Sequence, residues 1–332
     1  MQPPLNSANT EHTARNGSIA SSETAARTEP VASTEDAAST DSAAGIDVAA
    51  DRADTELTGT VFVLVHGAWH GSWQWAATQR ALAGLGAASV AVDLPGHGFG
   101  APLPSGYLLP DRSGLLTERS QLADVTMDDC ADAVLDTLRR VRRYGRVVLV
   151  AHSAGGGPAS LAAERAPELV DRVVYLSAFV PAGRPRFFDY LSAPENATAR
   201  GQGLNLGDPG ELGAVRIDPL SPDPAYVEEL RQTHYHDTRA DRFDRWRIAL
   251  SPDLPLAIPA TPVDLTPARW GRIPRTFVRC ADDRALPTAA QDLMIAEADR
   301  AMPGEPFTVR TLPGSHSPFA ARPQELAEAL VR

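Results

Sequence analysis

Apolar residues in this chain come in short unbroken runs that end on polar or glycine-rich tails. TVFVLVHG (60–67) is the first, followed by ASVAVDLPGHG (88–98), RVVLVAHSAGG (146–156), RVVYLSAFVP (172–181), RTFVRCADD (275–283) and FTVRTLPGSH (307–316). Their β-branched content and lack of polar alternation predict strands buried on both faces. Between several of them the spacing becomes helical, as in MDDCADAVLDTLRRV (127–141) and LPTAAQDLMIAEADRAM (286–302). Strands alternating with helices predict an α/β fold with a mostly parallel, doubly wound sheet of about six strands. The polar tails all fall at the C-terminal ends of the strands, the edge where such sheets place their ligand sites.

Two stretches depart from this pattern. Residues 1–57 are dominated by Ala, Ser, Thr, Asp, Glu and Asn and contain no aromatic residue. Such a segment buries too little apolar surface to offset its ordering entropy, and a disordered leader is expected. Residues 181–272 carry no strong strand but are rich in Pro, Gly and aromatics, including RFFDYL, THYHD and FDRWRIAL. A structureless connection of that length is uncommon in a compact domain. It is therefore expected to be an inserted, mainly helical cap on a core formed by 58–180 and 273–332.

Composition narrows the function classes. The chain has 332 residues, 43% of them hydrophobic, and a formal charge of -11. That balance leaves no basic surface for nucleic acid or anionic membranes. No apolar run nears the roughly 18 residues needed to span a bilayer, and the N-terminal residues lack the pattern of a secretory signal. Arg supplies all the cationic side chains, since the chain contains no Lys. No lysine base or Schiff-base former exists. Cys130 and Cys280 have no CxxC or Cys/His spacing, so two buried thiols in a reducing, cytoplasmic setting are expected, with no metal. The Arg, Ala and Pro richness suggests a GC-rich bacterial genome.

The chemistry concentrates at the strand ends. AHSAGG (151–156) fits a strand–turn–helix elbow of the G-x-S-x-G type, with Ala151 in place of the first Gly. Both flanking positions must be small because the turn is tight and strained. A phosphate loop is disfavoured because G-x-x-x-x-G-K-[ST] is absent. A Ser hydroxyl needs a base and an orienting carboxylate. The loop after the last strand offers His316, and the strand before it offers Asp282 and Asp283. Ser153, Asp283 and His316 form the predicted triad, with Asp282 as the competing acid. The backbone N–H groups of Ala154 and of Ala68 in HGAWHG are the predicted oxyanion donors. His70, His97 and His152 are read as structural, and Trp73 and Trp75 as core. Trp69, Phe179, His234, Tyr235 and Trp246 are the candidate substrate contacts.

Taken in order, HGAWHGSWQW (66–75), DLPGHG (93–98), AHSAGG, ADDRALP (281–287) and GSHSPF (314–319) resemble the α/β-hydrolases over Thr60 to Arg332. The subgroup most similar holds plant-type methyl esterases and hydroxynitrile lyases, whose early loop also reads HGxxHGxW. That resemblance implies an α/β-hydrolase fold and favours Asp283, because the subgroup's acid is followed within a few residues by Pro, here Pro287. The hydroxynitrile lyases of this fold carry Thr where this chain has Gly67, and Lys where it has Ser317. Cyanide expulsion would lack its cation here. Relatives that use an Asp nucleophile are disfavoured by Ser153.

The expected activity is serine-dependent hydrolysis of a carboxylic ester, thioester or lactone of a small to medium molecule, with aromatic or polyketide-like molecules among the candidates. No cofactor is expected, the partner is a small-molecule substrate, and the protein is a monomer or homodimer. Two alternatives stay open: a non-hydrolytic lyase or cyclase of natural-product (secondary) metabolism that uses the same triad, and a receptor that retains it.

Overall fold

The computed structural model describes residues 57–332. The segment read as a leader therefore lies outside the described residues, Leu57 apart. In chain order the strands are β1 (Thr60–Val65), β2 (Ala88–Val92), β3 (Arg146–His152), β4 (Arg172–Leu176), β5 (Ala214–Arg216), β6 (Asp253–Pro255), β7 (Arg275–Cys280) and β8 (Thr308–Leu312). The longer helices are α1 (Ala76–Gly84), α2 (Met127–Val141), α3 (Gly156–Arg165), α4 (Pro224–His234), α5 (Ala240–Ala249), α6 (Thr288–Ala301) and α7 (Pro323–Val331).

A six-stranded sheet runs β2-β1-β3-β4-β7-β8, and every neighbouring pair in it is parallel. Parallel neighbours need crossovers, which α1, α2, α3 and α6 provide. The chain moves outward from β1 to β2, then returns to lay β3 on the other side of β1. The order therefore reverses between β1 and β3. Ligands of open α/β sheets bind outside the strand ends at such a reversal. The loops after β1 and β3 are HGAWHG and SAGG.

Alternation across the sheet builds two core layers. Val63 and Val65 of β1, with Val147, Leu149 and Ala151 of β3, face a layer that includes Cys130, Val134 and Leu138 of α2 and Met294 and Ala298 of α6. Phe62 and Leu64, with Val148 and Val150, face Leu82 of α1 and Leu326, Ala327 and Leu330 of α7. This double burial is why the central strands read as continuous apolar runs. Edge strands β2 and β8 are only partly covered. Helix α2 begins at Thr126, whose side chain accepts from Asp129 N while Asp129 returns to the Thr126 N–H. Cys130 and Cys280 are buried and unpaired.

Strands β4 and β7 are sheet neighbours, so the chain between them leaves the sheet and returns. Its regular elements are mainly helices, α4 and α5 the longest, joined by irregular chain and two short strands. The short strands β5 and β6 pair antiparallel, with Arg216 opposite Asp253. Arg216 is fully buried and grips Asp253 through Nε at 2.6 Å and Nη2 at 2.8 Å. Its Nη1 donates to the carbonyls of Leu115 and Glu118 at 3.0 and 2.9 Å. The ribbon is thereby fixed to the loop that precedes α2. No helix among the described residues is long and apolar enough to cross a membrane.

Candidate active site

Ser153 sits on the turn where β3 passes into α3, with φ of 51°. An L-residue in that left-handed region costs roughly 1–2 kcal/mol, which surrounding contacts must hold in place. The contacts are tight. A Cβ on Gly155 would lie 2.2 Å from the His66 carbonyl, so the elbow admits only glycine there. Ala151 is fully buried without exposing the turn. Gly67 lies on the opposite side. A Cβ on Gly67 would come within 2.8 Å of Ser153 Cβ and 2.7 Å of His152 Nδ1. Gly67→Ala is therefore expected to displace Ser153, lowering ester turnover at least about tenfold and stability by roughly 1–3 kcal/mol. An activity assay paired with a thermal melt checks both effects.

The acid and histidine loops meet beside this turn. His316 Nδ1 lies 2.6 Å from Asp283 Oδ2. Oδ1 of Asp283 accepts from the backbone N–H groups of Ala285 and Leu286, both at 2.8 Å. Oδ2 also accepts from Ser177 Oγ at 2.5 Å. A carboxylate ringed by donors is the acceptor, so His316 carries a proton on Nδ1, and it is the Nε2 of the neutral ring that can act as acceptor. Asp282 turns elsewhere, accepting from Gly314 N at 2.9 Å. His152 Nε2 donates to the His316 carbonyl at 2.9 Å, which braces the His316 backbone from the residue next to Ser153. Burial holds His152 far below the ordinary histidine range, so its ring is neutral. Ser177 is a contact that sequence reasoning missed. Its φ of 38° leaves no mark in RVVYLS.

Three histidines fix the loop after β1. His66 Nε2 accepts from Leu94 N at 3.1 Å, so its Nδ1–H donates to the Gly67 carbonyl at 2.8 Å. His70 Nδ1 donates to the Ala68 carbonyl at 2.6 Å, leaving Nε2 to accept from the Tyr235 hydroxyl at 2.5 Å. Burial pushes His70 down to about 3 and keeps it neutral. His97 donates to the Pro95 carbonyl at 3.1 Å and packs on His66 with ring centroids 4.9 Å apart. Trp69 adopts φ of 60°. Its indole donates to the Val215 carbonyl at 2.9 Å, and its own carbonyl accepts from Ser251 N at 2.7 Å.

A cavity of about 220 Å³ opens over this cluster, with Ala68, Trp69, Ser153, His234 and His316 on its floor. Phe187, Phe188, Leu191, Val215 and Leu254 from the inserted segment give it an apolar wall. A narrow adjoining pocket of about 10 Å³ reaches between His70, His152, Tyr235 and Leu250, sharing Ser153 and His316 with the larger space. That is about the room of one water-sized probe. Ala154, which follows Ser153, is buried.

Of the candidate substrate contacts, Trp69 and His234 line the larger cavity. His234 stands with its ring 5.7 Å from that of His316, and burial with the neighbouring His316 and His70 holds it neutral. Tyr235 touches only the narrow pocket, and its hydroxyl is taken by His70. Phe179 and Trp246 do not line either space. Phe179 is fully buried, stacked behind Phe187 with centroids 5.1 Å apart. Trp246 packs on Trp73 and Phe319 at 5.9 and 5.6 Å, on the far side of the aromatic layer. The residues missed in their place are Phe187, Phe188 and Leu191. Their helical spacing after the Pro- and Arg-rich turn was visible in RFFDYL, but the direction of that face was not.

Comparison with known proteins agrees with this architecture. The family model described as the Alpha/beta hydrolase family matches residues 62–329. A putative chloroplastic methylesterase, number 14 of Arabidopsis thaliana, is 27% identical over 81% of this chain and 70% of its own length. A pyrethroid hydrolase of Sphingobium wenxiniae is 29% identical over 82% of this chain and 87% of its own. The crystal structure of a pyrethroid hydrolase from Sphingobium faniae superposes with a TM-score of 0.65 at 27% identity, covering 82% of this chain and 95% of that one.

Proposed function

Because the chain belongs to the alpha/beta hydrolase family, we propose that it is a serine esterase that cleaves a carboxylic ester of a largely apolar acid and a small alcohol. One observation carries this reading: Ser153 and His316 face the same cavity, with Asp283 bonded behind the histidine at 2.6 Å. Ser153 Oγ attacks the ester carbonyl and passes its proton to His316 Nε2. Asp283 stabilises the imidazolium that results. The N–H groups of Ala68 and Ala154 receive the negative charge that forms on the carbonyl oxygen. The C–O bond to the alcohol then breaks, and His316 returns the proton to the departing oxygen. Water follows the same route to release the acid from Ser153.

The two unequal spaces support the assignment of sides. The 220 Å³ cavity with its Phe and Leu wall suits the acyl group. The 10 Å³ pocket beside Ser153 suits an alkoxy group no larger than methoxy, or the hydrolytic water. Relatives named as methylesterases are consistent with a small alcohol. The relative named as a pyrethroid hydrolase is consistent with ester hydrolysis without bearing on the assignment of sides.

The test pairs intact-mass labelling by a fluorophosphonate with turnover of methyl and tert-butyl esters of the same aryl-alkanoic acid. One adduct per chain is expected, with kcat/KM for the methyl ester at least about 100-fold higher, close to 3 kcal/mol of discrimination. Equal rates on the two esters would remove the assignment of sides. An adduct without turnover of any ester would shift the site to a lyase or cyclase, or to a ligand receptor.

A further inference from the structure

Three consecutive residues outside the catalytic loops each touch a different one of them. They are Tyr235, His236 and Asp237, in the turn directly after α4. The Tyr235 hydroxyl donates to His70 Nε2 at 2.5 Å. His236 Nε2 donates to the Asp282 carbonyl at 2.9 Å. Asp237 Oδ2 accepts from Ser315 N at 3.1 Å. These partners are two residues from Ala68, one from Asp283 and one from His316.

We propose that Tyr235, His236 and Asp237 form a positioning clip through which the inserted segment holds the oxyanion, acid and histidine loops in register. The inference rests on the esterase reading for its kinetic consequences only. None of the three residues needs to touch the reacting atoms.

Each arm has a defined route. The Ala68 carbonyl can only accept, so His70 must donate through Nδ1 and accept through Nε2. The carbonyl thus sets the tautomer, the Tyr235 hydroxyl donates to the Nε2 it leaves open and holds the ring in place, and His70 in turn fixes the peptide that follows Ala68. The tyrosine ring cannot swing away, because it is fully buried against Phe243 and Trp246. On the third arm, Gly314 runs so close that a Cβ there would lie 2.2 Å from Asp237 Oδ2. Arg322 Nε stands 3.8 Å from the same oxygen. The clip is itself braced from its helix. Arg231 Nη1 donates to the carbonyls of His236 and Thr238 at 3.2 and 3.4 Å. Thr238 N closes the turn on the Tyr235 carbonyl at 2.8 Å.

One turn can reach all three loops because each loop follows the C-terminal end of a parallel strand, β1, β7 or β8. The ends converge on one sheet edge, and α4 delivers its last residues there. Movement of the inserted segment would then be felt at all three loops together.

The experiment compares Tyr235→Phe, His236→Ala and Asp237→Ala with the native chain, and uses Asp237→Asn as the conservative rescue. Asn retains an oxygen for Ser315 N. Tyr235→Phe is expected to lower kcat by about tenfold or more with KM within about twofold, the pattern of lost transition-state stabilisation. It should also weaken a trifluoromethyl ketone, whose adduct carries an oxyanion, by a similar factor. Asp237→Ala should lower kcat and slow fluorophosphonate labelling, and Asp237→Asn should recover most of both. Amide hydrogen exchange gives a readout independent of activity: Tyr235→Phe should speed exchange in 66–71, His236→Ala in 281–286 and Asp237→Ala in 313–317. If the native chain neither labels nor turns over, the esterase reading fails while the exchange pattern still decides the clip. Unchanged exchange in all three loops, or native kcat in all three variants of an active enzyme, would overturn it.

Discussion

Ser153→Ala is expected to remove ester turnover by roughly 10⁴- to 10⁶-fold and to abolish the fluorophosphonate adduct. The magnitude follows from what the hydroxyl does. It supplies the attacking oxygen, so its loss leaves only the oxyanion donors and the bound-substrate geometry to assist water. The fold should not suffer. Ala occupies the same left-handed backbone position as Ser153 (φ 51°) at the same steric cost, since both carry a Cβ. The structure gives no hydrogen bond whose loss from the Ser153 hydroxyl would unfold the turn. The thermal midpoint should stay within a few degrees of the native value, so a dead variant that melts normally isolates the chemistry. A variant that kept more than about 1% of turnover, together with an adduct, would mean that another nucleophile carries the reaction.

The sheet was legible because its central strands are buried on both faces. A parallel sheet under two helical layers writes such unbroken runs as VVLVAH and TVFVLV. Helix α2 was legible to the residue because Thr126 and Asp129 cap it and Met127, Cys130, Val134 and Leu138 keep one buried stripe. The placement of Ser153, Asp283 and His316 after the C-terminal ends of β3, β7 and β8 follows from the same topology. A parallel sheet puts all its C-terminal loops on one edge, so polar tails far apart in sequence meet there.

The inserted segment was much less legible. Strands β5 and β6 are three residues each, and β6 contains Pro255, so neither shows a strand pattern. Their pairing is fixed by Arg216 and Asp253, a buried ion pair whose members read from sequence as ordinary surface charges. Aromatic side chains posed the same difficulty. Phe179, Tyr235 and Trp246 could each face substrate or core, and composition does not record direction. The cavity wall fell to Phe187, Phe188 and Leu191, while Phe179 went beneath them. Ser177 and the Tyr235–Asp237 turn act through hydrogen bonds between segments 46 to 165 residues apart, a range at which local periodicity carries no signal.

Asp283→Asn is expected to be nearly as damaging as loss of the serine, and the hydrogen bonds around the carboxylate say why. Oδ1 faces two backbone donors, Ala285 N and Leu286 N, which cannot turn round. An asparagine must present its carbonyl oxygen to them and so place its NH₂ where Oδ2 was. That group then meets His316 Nδ1 and Ser177 Oγ. Ser177 can rotate its hydroxyl and accept. His316 can accommodate the amide only by accepting at Nδ1, which moves its proton to Nε2, the nitrogen that should take the Ser153 proton. The imidazole is then held in the wrong tautomer without any change of shape. A loss of roughly 10⁴-fold in kcat is expected from such a reversal, with KM little changed because the cavity wall is untouched. Asp282→Asn is the matched control. Its carboxylate serves Gly314 N, a donor that an amide oxygen satisfies equally well, so turnover should stay within a few-fold of native. Equal losses in the two variants would mean that the loop as a whole, rather than the Asp283 carboxylate, sets the rate. A large loss confined to Asp283→Asn would tie the rate to the single proton that Asp283 holds on His316 Nδ1.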